Sequence, residues 1–161
     1  MMKAVGKEIP WEKQRDMSIE MTALKLPLLF QSLVSAYGPE KGKTIYDELF
    51  EENFKKRSSR FEGKDIGDIM MAEIDMFPAM GWKIWVEKCE ENGLDVWYEH
   101  LGKCPHLEAT RKYKLPDPCP LICDMDCVLG EKYKVAHWER MKHMPAGDDE
   151  CCFRITRCSC K

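Results

Sequence analysis

The sequence predicts an α+β fold, with a helical N-terminal half packed on an antiparallel β-sheet of about four strands and two short helices between the second and third strands. Three observations carry that prediction. Through the first 80 residues, apolar side chains recur three or four positions apart, the spacing of one face of an α-helix. From Gly81 onward the period changes to two, as in a strand with one buried face. Between two such alternating runs stands Asn92-Gly93, the strongest short-range hairpin signal.

The elements follow in order. Trp11 to Leu26 reads as a first helix, with Met17, Met21 and Leu24 at helical spacing, and Pro27 is expected to end or kink it. Leu28 to Tyr37 is a short apolar segment stopped by Gly38-Pro39. Glu40 to Arg60 places Ile45, Leu49, Phe50 and Phe54 on one face and charges on the other. Asp65 has the place and chemistry of an N-cap for a helix carrying Ile66, Ile69, Met70, Ile74 and Phe77. That makes about four helices, whose many methionines suit adaptable core packing. Lys83 to Cys89 and Val96 to Leu101 are the hairpin strands. Cys104 to Tyr113 is a short helix, and after Pro116 a second one runs from Pro118 to a capping Gly130. Tyr133 to Met141 and Cys151 to Arg157 are two further strands. The turn-rich Pro145-Ala146-Gly147-Asp148-Asp149 joins them, with positive φ expected at Gly147. Without a repeat or a long linker, residues 1–161 form one expected domain, helical over 1–80 and sheet-forming over 81–161.

The composition narrows the function. A hydrophobic share of 44% with 33% charged residues belongs to a globular protein able to bury a core. The formal net charge of −3 comes from basic and acidic residues mixed along the chain, without the basic footprint that nucleic acid or anionic lipid requires. No apolar run reaches the roughly 18 residues of a membrane span. The charged stretch from Met1 to Trp11 lacks the apolar core of a signal peptide. The expectation is a cytoplasmic protein whose partner is a small molecule.

The nine cysteines are the leading clue. An odd count in a reducing compartment argues against a disulfide framework. None precedes Cys89 and eight lie at or after Cys104, a distribution that favours function over scattered core thiols. Cys119, Cys123 and Cys127 recur every fourth residue and would share one face of the expected helix. The outer two would then stand roughly 12 Å apart along the axis, too far for one metal. A site would therefore pair two of them with distant residues, and Cys104, Cys151, Cys152 and His143 are the obvious candidates. Sulfur ligation favours zinc, copper(I) or an iron–sulfur cluster. The tail cysteines Cys158 and Cys160 offer a further pair.

Several spaced motifs carry a resemblance. Cys104 closes the second strand, a helix bears Cys123-Asp124-Met125-Asp126, Arg140 follows, and the run ends in Gly147-Asp148-Asp149-Glu150-Cys151-Cys152-Phe153-Arg154. Gly102 to Ile155 thereby resembles the C-terminal signature of the L-2-amino-thiazoline-4-carboxylic acid hydrolase-like family. The layout is also similar to that of 4-vinyl reductase small-molecule-binding domains. The chain differs from the family pattern at Met141, His143 and Pro145-Ala146, and adds Cys119, Cys127 and Cys152. These differences point to a subfamily with altered chemistry or added metal binding.

The resemblance implies a hydrolase acting on non-peptide C–N bonds of a cyclic amidine, opening a small cyclic C–N/C–S substrate to an N-carbamoyl cysteine-type product. Asp126 would serve as general base with His143 as second choice, and Arg140 would hold a substrate carboxylate. Cys123 is a candidate nucleophile. Cys104, Cys123, Cys127 and Cys151 are the candidate metal ligands, for zinc or an iron–sulfur cluster. The alternative is a non-catalytic module that binds a small molecule, zinc or a cluster through the same cysteines.

Overall fold

The computed structural model describes residues 6, 8–61 and 64–158. Helices α1 (Trp11–Tyr37) and α2 (Pro39–Ser58) form a hairpin turned at Gly38. A 3-10 turn, Ser59–Phe61, leads on to α3 (Ile66–Met76). Asp65 caps α3 as expected: its extended backbone lets the carboxylate accept the Asp68 N–H at 2.9 Å. Strands β1 (Lys83–Glu91) and β2 (Leu94–Lys103) follow, each longer than the apolar alternation alone indicated. Asn92 and Gly93 between them take φ of 53° and 77°, as a tight right-twisted hairpin turn requires. Then come α4 (Pro105–Lys112), α5 (Cys123–Lys132), β3 (His137–Lys142) and β4 (Cys151–Thr156). The sheet is antiparallel throughout, in the order β1-β2-β4-β3. The α+β architecture thus stands as expected, with two short helices between β2 and β3.

Three expectations need correction. Pro27 does not end the first helix, so among the described residues the first half holds three α-helices instead of about four. A proline in a helix interior removes the N–H that would bond the carbonyl four residues earlier, here that of Ala23. His106 of α4 replaces it, bringing Nδ1 to 2.7 Å from the Ala23 oxygen. Gly130, expected as a cap, lies inside α5. A Cβ there would stand 2.2 Å from Cζ3 of Trp138, so the glycine is needed for close approach of helix and strand. The helix expected from Pro118 to Gly130 is also divided. Cys119–Leu121 is a separate 3-10 turn, and Ile122, at φ −125° and ψ −73°, breaks it from α5. Cys119 therefore does not share a helical face with Cys123 and Cys127. Strand β3 begins at His137 and not at Tyr133, because Lys134 takes a left-handed φ of 55° and Tyr133 turns back to stack on Phe54, ring centres 6.0 Å apart.

One face of the sheet carries the core. Leu101, Cys151, Phe153 and Ile155 pack there against Ile66, Ile69 and Met70 of α3. A second cluster joins Tyr46, Phe50 and Phe54 of α2 to Leu129 of α5, and the buried Tyr46 hydroxyl donates to the Leu121 carbonyl at 2.8 Å. Helices α2, α3 and α5 thus lie over the same face of the sheet, and the seam between them holds the site. No helix among the described residues is long and apolar enough to cross a membrane.

Candidate active site

A cavity of about 230 Å³ opens between α2, α3, α5 and the helix-facing side of the sheet. Phe54, Phe61, Phe77, Trp82, Trp138 and Phe153 give it an aromatic wall. Five charged residues line this apolar space, Arg57, Arg60, Glu73, Glu99 and Asp126, together with Cys123 and Cys127. Four of them interrupt apolar stripes. Glu99 stands between Trp97 and Leu101 at an inward position of β2 and is 6% exposed. It is in register with Phe153 of β4, which in turn pairs with Arg140 of β3. Glu73 follows Ile69 by four residues and Met70 by three on the buried side of α3. Arg57 continues the Phe50–Phe54 stripe of α2, and Asp126 follows the buried Ile122 by one helical turn.

Burial raises all three carboxyl groups. It pushes Glu99 up to about 7, with help from the charge of Asp126 and against its hydrogen bond to Glu73. Glu73 is raised well above the usual range, first by burial, then by the charge of Glu99 and the hydrogen bond between them, while Arg57 pulls the other way. Two interacting carboxyl groups in one apolar site share a proton, because ionising both would place like charges together out of water. Asp126 is also raised by burial, opposed by the charge and hydrogen bond of Arg57 at 2.7 Å. Its side chain still keeps 38% of its surface open. The cavity thus combines a protonated carboxyl pair, an ionisable carboxylate and a guanidinium. That set can bind a cation, transfer protons and hold an anion.

The residues expected from the sequence fall into two groups. Asp126, Cys123 and Cys127 line the cavity. Arg140 is not among the lining residues; its guanidinium pairs with Asp124 and lies 5.4 Å from the Phe153 ring centre. The guanidinium that meets Asp126 belongs to Arg57, which the sequence reading missed, as it missed Glu73 and Glu99. For Glu73 and Glu99 a signal was present: a charge at a position whose neighbours of the same helical face or parity are apolar.

Cys104, Cys151 and His143 gather instead around Cys119. Cys104 caps α4, its sulfur accepting the Leu107 N–H at 3.4 Å, and Cys151 opens β4, accepting the Met144 N–H at 3.4 Å. Burial pushes the Cys104 thiol up to about 12, with a smaller push from the charges of Cys119 and Cys151. Cys119 is raised by its hydrogen bond to Cys123 and by burial, and Cys127 is pushed up to about 11 by burial. These thiols are protonated at neutral pH, which disfavours them as nucleophiles in the metal-free protein. Asp117, Cys119 and His143 each offer a ligand atom, and the three atoms lie within 4.8 Å of one another. The group is a possible metal site; Cys119 and His143 were among the sequence candidates, and Asp117 was not. Cys152 is buried in β4 beyond this group, and Cys160 lies outside the described residues.

The sequence model of the family described as L-2-amino-thiazoline-4-carboxylic acid hydrolase matches residues 17–155. The chain belongs to that family. The match runs from α1 to β4 and therefore includes both the aromatic cavity and the cysteine group. No curated protein and no solved structure matches the chain. This member of the hydrolase family carries its charged residues in a cavity small beside those for drug-sized ligands.

Proposed function

We propose that the protein hydrolyses a small cyclic isothiourea bearing a carboxylate, of the L-2-amino-thiazoline-4-carboxylate type, to an N-carbamoyl cysteine-type product. The observation that carries this reading is the placement of Glu73 and Glu99 with Asp126 and Arg57 in one aromatic cavity. Family membership supports the hydrolytic class. The charges complement such a substrate at both ends. Its amidine nitrogens are basic and suit the carboxyl pair, and its carboxylate suits Arg57. Aromatic walls fit a flat ring and exclude bulk water, which strengthens each of these contacts.

The chemistry follows from those positions. Asp126 takes a proton from water as its oxygen bonds to the ring carbon between nitrogen and sulfur. The carboxyl pair stabilises the charge on the amidine nitrogens through that step. The addition intermediate then collapses: its new hydroxyl passes its proton to the carboxyl pair as the carbonyl forms, the carbon–sulfur bond breaks, the leaving thiolate takes a proton from that pair, and Asp126 releases the proton it took from water, which balances the charge of a protonated amidine substrate. Both nitrogens stay on the carbon, so the product is a urea with a free thiol. The bond broken is thus C–S, although the substrate is an amidine.

The test is incubation of purified protein with L-2-amino-thiazoline-4-carboxylate, following the carbamoyl product by mass spectrometry. Turnover that is lost in Asp126→Asn supports the reading. A folded protein that neither converts nor binds this compound defeats it. The second reading, a binding module without turnover, is favoured by the apolar character of the cavity wall and by the Asp117–Cys119–His143 group, which would hold zinc or a cluster. It predicts saturable binding of the compound with no product.

A further inference from the structure

We propose that Asp117, Cys119 and His143, completed by Cys151, bind one zinc-class divalent ion that ties the 113–122 segment to the ends of β3 and β4. This inference does not rest on the hydrolytic reading, because Asp117, Cys119, His143 and Cys151 all lie outside the lining of the aromatic cavity. The first three residues already hold their ligand atoms within 4.8 Å of one another. Donors around one tetrahedral zinc, with bonds of about 2.0–2.3 Å, stand about 3.3–3.8 Å apart. Side-chain rotation on the order of an ångström would bring these three donors to that spacing.

A second, independent observation points to a ligand. His143 Nε2 is buried without a hydrogen-bond partner, a costly state for an imidazole nitrogen unless something else meets it. Cys151 stands beside this group: burial and then the nearby charges of Cys119 and Asp117 raise its thiol, while its sulfur accepts the N–H of Met144, the residue after His143. Such N–H donors stabilise sulfur in its charged form, and a divalent ion lowers a coordinated thiol far enough to deprotonate it. Supporting contacts hold the ligands in place: Asp117 Oδ1 accepts the Cys119 N–H at 2.9 Å, and Asp148 Oδ2 accepts the His143 N–H at 2.6 Å. Asp117 is exposed, which leaves a path for the ion.

Two sulfurs, one nitrogen and one oxygen make a tetrahedral set that favours zinc over an iron–sulfur cluster, whose irons are held chiefly by thiolates. The set differs from the all-thiol group expected from the sequence. Cys127 lies instead in the cavity wall, and Cys104 and Cys123 border Cys119 without being needed as ligands.

The experiment is metal analysis of the full chain followed by cobalt(II) titration of the metal-free protein. One zinc per chain, and a sulfur-to-cobalt charge-transfer band with the intense visible bands of tetrahedral cobalt, are expected. His143→Ala and Asp117→Ala should each weaken cobalt binding by at least the ten- to hundredfold that loss of a supporting partner costs. Cys89→Ser, at an exposed thiol on β1, should leave the titration unchanged. Chelator should lower the thermal midpoint of the parent protein and not that of His143→Ala. Absence of the charge-transfer band, bands that survive both ligand substitutions, or iron with equimolar sulfide in place of zinc would overturn the proposal.

Discussion

At the scale of single residues, the proposed hydrolysis gives Asp126, Arg57 and Glu99 separate jobs, and substitutions should separate them. Asp126→Asn keeps the shape and removes the base, so kcat should fall by about two to four orders of magnitude with little change in KM. Arg57→Lys keeps the charge and loses the two-point fork. Because Arg57 is 53% exposed, the loss should sit at the weak end of charge-assisted contacts, about a tenfold rise in KM. Glu99→Gln removes the shared proton. The parent should show a bell-shaped pH dependence of kcat/KM whose descending limb lies near the value of about 7 to which burial pushes Glu99, and the variant should lack that limb. Steady-state kinetics across pH on folded variants checks all three; unchanged kinetics in Asp126→Asn would remove this carboxylate from the mechanism. Asp126 was legible in the sequence through its motif. Glu73 and Glu99 were not, because a glutamate on an otherwise apolar stripe has no meaning until its partner across the seam is known.

At the scale of elements, two contacts decide geometry that local sequence signals misread. The first is the Pro27–Ala23–His106 arrangement, in which an imidazole on α4 satisfies the carbonyl that a proline in α1 leaves open. His106→Ala should cost about 1–3 kcal/mol, the penalty for a buried acceptor without a donor. Adding Pro27→Ala restores a backbone N–H to the Ala23 carbonyl, so the double variant should recover much of that loss. Denaturant unfolding of the parent, two single variants and double variant measures the coupling; strict additivity would mean that the imidazole does not serve the carbonyl. The second contact is Gly130 against Trp138. Gly130→Ala should destabilise by about 1–3 kcal/mol through overpacking, despite the better helix propensity of alanine, because the added Cβ would collide with the indole. An increase in thermal midpoint for this variant would contradict the packing account. Proline as a breaker and glycine as a cap are sound local rules, and each was overruled here by a neighbour from a distant part of the chain.

At the scale of the whole molecule, stability should depend on pH in two separate windows. Glu99, Glu73 and Asp126 have raised values in the fold, and for Glu99 the unfolded chain has lost, between the ordinary carboxyl range and about 7, a proton that the native state keeps. The unfolded state then binds fewer protons, and stability falls as pH rises through that window. For Glu99 alone the loss is up to about 3 kcal/mol. The salt-bridged Glu20, Glu51, Glu91 and Glu150 are lowered by their partners and act oppositely, losing their contribution only as pH falls below the ordinary carboxyl range. The thermal midpoint should therefore peak in mildly acid buffer, and Glu99→Gln should flatten the decline toward pH 8; a midpoint that rises steadily from pH 5 to 8 in the parent would refute this. The sequence by itself determined the α+β class, the hairpin at Asn92-Gly93, the Asp65 cap and the positive φ of Gly147, because periodicity, turn chemistry and capping act within a few neighbouring residues. Its motifs also led to the correct family. Only the tertiary structure decided that α1 continues through Pro27, that Cys119 leaves the helix of Cys123, and that Glu73 meets Glu99 while Asp117 meets His143. Those outcomes depend on which elements face one another, and burial, charge pairing and ligand convergence arise from that facing and not from spacing along the chain.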